Sequence, residues 1–120
     1  RSTLFPYTTL FRSPAGGGIA ISKATGSRGK YDASDANPEF IARIRALWDE
    51  MEVMWQAGNL GKVDIGGGGT VAKYMTYFGM EVVDCGVPVL GMHSPFEVTS
   101  KADVYMAYLA YRSFLSGFRG

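Results

Sequence analysis

Apolar side chains recur every three or four positions from Phe40 to Met51. Phe40, Ile41, Ile44, Leu47, Trp48 and Met51 share one face, and Arg43, Arg45, Asp49 and Glu50 fall opposite, the pattern of an amphipathic helix. Asn37 stands where an N-cap is needed, Pro38 occupies the first helical position, and Glu39 favours the helix dipole. Upstream, Gly18–Ala24 alternates apolar with small or polar residues, which predicts a strand with one buried face. Thr25–Asp35 is a polar loop carrying Arg28 and Lys30. Downstream, Val53–Gln56 reads as a short strand, followed by the glycine-heavy stretch Ala57–Gly69.

Thr70 can cap a second helix in which Val71, Tyr74, Met75 and Phe78 recur at i, i+3, i+4 and i+7, and Gly79 ends it. The strand Met80–Val87 comes next, then a loop holding the only histidine, His93. Ser94 and Glu97 have capping-box spacing with Pro95 between them, so the last helix is expected to start there. It bends near Thr99–Lys101 and continues through Tyr105, Tyr108, Leu109, Arg112 and Leu115, its aromatic stripe packed into the core.

This order, strand then helix three times over, predicts an α/β layer with mostly parallel strands. Helix-to-strand connections are almost nil, whereas the strand-to-helix segments Thr25–Ala36, Ala57–Gly69 and Pro88–His93 are long. Right-handed crossovers put such segments on one edge of a sheet, where open α/β sheets bind ligands. Lys30, the Gly66–Thr70 run and His93 are therefore expected to converge.

Composition narrows the class. With 47% hydrophobic residues and a net charge of +1, the chain is globular and has no basic stripe for nucleic acid. No apolar stretch reaches the length of a membrane span, and no signal-peptide layout is present. A single cysteine, Cys85, excludes an internal disulfide and fits a reducing, cytoplasmic compartment; its place in a strand favours a structural thiol. Residues 1–13, RSTLFPYTTLFRS, repeat TLF and resemble the in-frame translation of a DNA sequencing adaptor. They are set aside as an artefact, with the expectation that the natural sequence upstream of Pro14 is missing. Residues 14–120 make at most one small domain, or a piece of a larger one.

The run Gly66–Gly69 before Thr70 lacks the phosphate-loop arrangement, because Lys73 follows the threonine. What it offers is close backbone approach and helical N–H donors. A neutral imidazole at His93 suits a metal, but a lone histidine is more often packed or capping, and zinc takes three or four protein ligands. Asp64, Asp84 and Glu97 do not complete a set. Either there is no metal site, or its remainder lies upstream of Pro14.

Three stretches, SKATGSRGKYDASDANPEF (Ser22–Phe40), WQAGNLGKVDIGGGGTVA (Trp55–Ala72) and VVDCGVPVLGMHSPFEVTSKADVYMAY (Val82–Tyr108), resemble the carboxy-terminal part of the aspartyl aminopeptidase/vacuolar aminopeptidase I family in its bacterial branch. The resemblance implies a fragment of a three-layer αβα sandwich from an enzyme with two zinc ions per active site. It implies that His93 ligates one zinc, while Lys30, Gly68, Gly69 and Thr70 border the bound peptide. The other ligands and the general-base glutamate belong to earlier parts of the family chain, so no catalytic residue is assigned within these 120 residues. The implied reaction is metal-assisted hydrolysis of the first peptide bond by a zinc-bridging water, in a homo-oligomeric enzyme. The alternative is a metal-free α/β binding module with a structural histidine.

Overall fold

The computed structural model describes residues 13–25, 34–58, 71–92 and 94–119. Its centre is β1 (Ile19–Ser22), a four-residue strand buried throughout. Side chains alternate along a strand, so Ile19 and Ile21 share one face. That face meets Phe40, Ile44 and Trp48 of α1 (Pro38–Glu50) and Ala107 and Ala110 of α3 (Lys101–Gly117), with Val53 completing the cluster. Both long helices thus lie on one side of the sheet, and this packing is the chain's core.

The sheet order is β4-β1-β5, with β4 at Trp55–Gly58 and β5 at Asp84–Gly86. β4 runs parallel to β1, in the register Ile19 to Trp55 and Ser22 to Gly58. β5 runs antiparallel, pairing Ala20 with Gly86 and Ser22 with Asp84. The described sheet is therefore mixed, where mostly parallel strands were expected. Two short hairpins complete the element list. β2 (Ala24–Thr25) pairs with β3 (Ser34–Asp35), and β6 (Val89–Leu90) pairs with β7 (Val98–Thr99).

α1 forms as its sequence predicts. The Asn37 carboxamide oxygen accepts the Glu39 N–H at 2.9 Å, and Pro38 occupies the first turn. At the other end, Met51 N–H donates to the Leu47 carbonyl and Val53 N–H to that of Trp48, while Glu52 takes φ 56°. Closing the helix this way uses up Val53, so β4 begins two residues later than the apolar run suggested. Trp48 ties the two helices together through its indole N–H, which donates to the Ala110 carbonyl at 3.2 Å in a buried setting. Trp48→Phe removes that donor and part of the ring, while the Ala110 carbonyl keeps the Ser113 hydroxyl at 2.9 Å. In a denaturant titration the lost hydrogen bond is expected to cost about 0.5–1.5 kcal/mol, and the space left by the smaller ring adds to it.

The later elements depart further from expectation. α2 is only Ala72–Thr76, and the supposed inner face points outward, with Val71 at 70% and Phe78 at 83% exposure. The strand expected over Met80–Val87 contracts to β5, because only Asp84–Gly86 finds a partner in β1. The last helix starts at Lys101, seven residues beyond Ser94. Ser94–Glu97 instead lie in the connection between β6 and β7, and the Ser94 hydroxyl donates to the Phe96 carbonyl at 2.5 Å, so no capping box forms. Pairing of Val89 with Thr99 extends the backbone where the helix would have begun.

α3 turns Asp103, Ala107, Ala110 and Ser113 inward. Its tyrosines do not enter the core as expected: Tyr105, Tyr108 and Tyr111 are each about half exposed, and Leu115 is 83% exposed. A helix apolar on both sides is one that normally sits between two layers.

Candidate metal and peptide site

His93, Lys30, Gly68, Gly69 and Thr70 lie outside the described residues, as does the possible ligand Asp64. Their flanks are described, and these determine where each segment leaves the sheet. Ser22, Gly58 and Asp84 mark one end of the sheet by register. The chain leaves β1 and β4 at that end, towards the β2–β3 hairpin and residues 59–70 respectively, and α2 then packs on β3.

β5 enters the sheet at that end and leaves at the other. There the first turn of α3 is fixed by a buried carboxylate. Asp103, fully buried, accepts the Gly16 N–H at 2.7 Å and the Gly18 N–H at 2.8 Å, immediately before β1. The connection from β5 to α3, with the β6–β7 hairpin in it, therefore begins and ends at the opposite end from the exits of β1 and β4. The crossover rule applies only to parallel strands, so it gives no ground for placing the segment after β5 at the edge where β1 and β4 exit.

On either side of position 93 the backbone is held by a left-handed glycine and hydrogen bonds. Gly91 takes φ +70°, and a Cβ there would stand 2.7 Å from the Phe96 carbonyl oxygen. Ser94 N–H donates to the Gly91 carbonyl at 2.9 Å, and the Thr99 hydroxyl to that of Pro88 at 2.8 Å. These bonds hold the connection as a closed hairpin. Among the described residues, no group of three or more His, Cys, Asp or Glu side chains is gathered for a metal ion. The described part of the chain does not by itself make a zinc site.

Sequence reasoning missed Asp103. Its signal was the second Ser-x-x-acid spacing, Ser100 to Asp103, which puts a carboxylate in a helix's first turn. It also missed the pairing of Cys85 with Tyr111. The Tyr111 hydroxyl donates to the Cys85 carbonyl at 3.3 Å and lies 3.9 Å from its Sγ. Burial pushes the Cys85 thiol up, so it stays protonated at neutral pH, as a structural thiol should.

Burial also pushes the Tyr111 phenol up from 10.0 to about 12, with the negative charge of Cys85 and Asp84 adding to it. Between those values the unfolded chain has lost the phenolic proton and the folded chain still holds it. Stability is therefore pH-independent from this group below the unfolded value, and falls as pH rises through the window. A tyrosinate absorbance titration is expected to show one phenol ionising near pH 12. Tyr111→Phe should remove that phase and flatten the alkaline loss of stability.

The fold and sequence together identify the class. The chain belongs to the family described as Aminopeptidase I zinc metalloprotease (M18), whose model matches residues 7–115. That span includes Ser13, which is buried beside Gly58. An M18 family aminopeptidase 1 of Thermotoga maritima is 54% identical over 100 residues, covering 83% of this chain and 22% of that relative. A crystal structure of an M18 aminopeptidase from Thermotoga maritima superposes with a TM-score of 0.83 at 49% identity, over 94% of this chain and 26% of that one. Aminopeptidase I from Clostridium acetobutylicum gives 0.81 at 50% identity, over 88% of this chain and 23% of that one. The chain spans about a quarter of the length of the proteins it matches. No helix among the described residues is long and apolar enough to cross a membrane.

Proposed function

We propose that residues 14–120 are the carboxy-terminal part of the catalytic domain of a dinuclear zinc aminopeptidase, which removes N-terminal residues from peptides in the cytoplasm as a homo-oligomer. Family membership over residues 7–115 carries this reading. His93 is its one zinc ligand, on a connection whose neighbouring backbone is closed by Gly91, Ser94 and Thr99. Lys30, Gly68, Gly69 and Thr70 border the peptide. The remaining zinc ligands and the general base belong to the rest of the enzyme. Zinc held by a complete set supplies Lewis acidity towards a carbonyl and lowers the pKa of bound water.

Two measurements test this. The isolated chain is expected to hydrolyse no amino-acid anilide and to bind zinc more weakly than micromolar; tight binding with turnover would refute the proposal. The second uses full-length Thermotoga maritima aminopeptidase with its matching segment replaced by this chain's residues. There His93→Ala should lower the zinc content and reduce turnover by more than roughly 100-fold, exceeding the usual loss of an outer-shell partner. An unchanged zinc content would remove His93 from the site.

A further inference from the structure

The outer face of α3 and the cleft beside it form one continuous apolar surface. The cleft, of about 340 Å³, lies between α1, α3 and the segment leading into β5, and Trp48, Val83, Met75, Tyr111 and Leu115 line it. Tyr111 and Leu115 also belong to the exposed side of α3, where Val104, Tyr105 and Tyr108 continue the stripe at half exposure. Met75 links the cleft to the exposed Val71, Tyr74 and Phe78 around α2. Side chains at 104, 108, 111 and 115 are spaced as one helical face. Contiguous apolar surface of this extent marks an interface.

We infer that this surface is the seat of the remainder of the M18 catalytic domain, packed against α3 and filling the cleft, and that it is not a free face or a dimer contact. Two observations select that occupant. The same unit recurs with TM-scores of 0.81 and 0.83 inside chains of which it makes up only 23% and 26%, so those proteins carry three times as much polypeptide around the same fold. In addition, α3 is apolar on both sides while, among the described residues, only one side meets the sheet, which is the composition of a helix enclosed between layers. The inference rests on the chain being one part of that domain, and is independent of what His93 does.

The test compares the free 120-residue chain with the Thermotoga maritima chimera described above, using hydroxyl-radical footprinting. Tyr105, Tyr108 and Leu115 should react at least about tenfold more slowly in the chimera, because burial removes the probe's access. Leu115→Glu should leave the melting temperature of the free chain nearly unchanged, since the side chain is 83% exposed there, and should lower that of the chimera by several degrees. Equal reactivity in both proteins, or a chimera that fails to fold, overturns the inference. So does concentration-dependent protection in the free chain with a dimer by light scattering, which would make a second copy the occupant. Loss of turnover in a folded, protected chimera would count against the proposed function and leave this inference standing.

Discussion

Gly18→Ala is expected to abolish cooperative unfolding, or at the least to cost about 3 kcal/mol. Gly18 takes φ +87°, a backbone region that costs a residue with a Cβ about 1–3 kcal/mol. The methyl would stand 2.0 Å from the Met54 carbonyl oxygen, and this neighbour is backbone that cannot swing aside. Overpacking adds about 1–3 kcal/mol where the structure can yield. Here yielding means breaking the Ile19 N–H to Met54 carbonyl bond, which begins the pairing of β1 with β4. A thermal melt is the measurement. A midpoint within about 2 °C of the parent would show that the turn into β1 is built differently.

Asp103→Ala is expected to cost about 3 kcal/mol, with Asp103→Asn intermediate. Alanine leaves the buried Gly18 N–H and the partly buried Gly16 N–H without their acceptor, at about 1–3 kcal/mol for each group that water cannot reach. It also removes a carboxylate from the first turn of α3, worth about 0.3–1 kcal/mol against the helix dipole. Asparagine keeps one acceptor oxygen and turns an amide donor towards the other N–H. Denaturant titration of the series should therefore rank Asp above Asn above Ala. An alanine variant within 1 kcal/mol of the parent would mean that water replaces the carboxylate, against the full burial of this side chain. Because the Gly18 and Asp103 changes strike the same contact, the double variant should lose less than the two single losses added together.

What could be read from the sequence was what depends on near neighbours. α1 was legible from end to end, since its cap, its proline and its period of apolar residues act within one or two turns. The start of the final helix was not, because two Ser-x-x-acid spacings stand six residues apart, at Ser94 and Ser100. The choice between them is made by the pairing of Val89–Leu90 with Val98–Thr99, a contact across the hairpin that helical spacing does not encode. The direction of β5 was also hidden. Apolar patterning specifies which face of a strand is buried, and it is the same read forwards or backwards. That single reversal moved both ends of the connection to α3 to the other end of the sheet and removed the crossover argument for bringing the loops together.

The α2 region failed for a different reason. Val71, Tyr74 and Phe78 do follow helical spacing, but they stand 70%, 58% and 83% exposed. Periodicity reports that a face is to be buried and is silent on what will bury it. The candidate site was legible only through family likeness: one histidine and a glycine run have no chemistry of their own until other donors stand beside them.

The placement of β1 sets the order in which this protein can be made. Its two neighbours are supplied by Trp55–Gly58 and Asp84–Gly86, and the amides in front of it wait for a carboxylate 85 and 87 positions away. Pairings that distant close large loops and slow the search for the native state. On a ribosome the nascent segment holding Ile19 and Ile21 emerges long before its partners, with its hydrophobic residues open to chaperones and proteases until synthesis has passed Asp103.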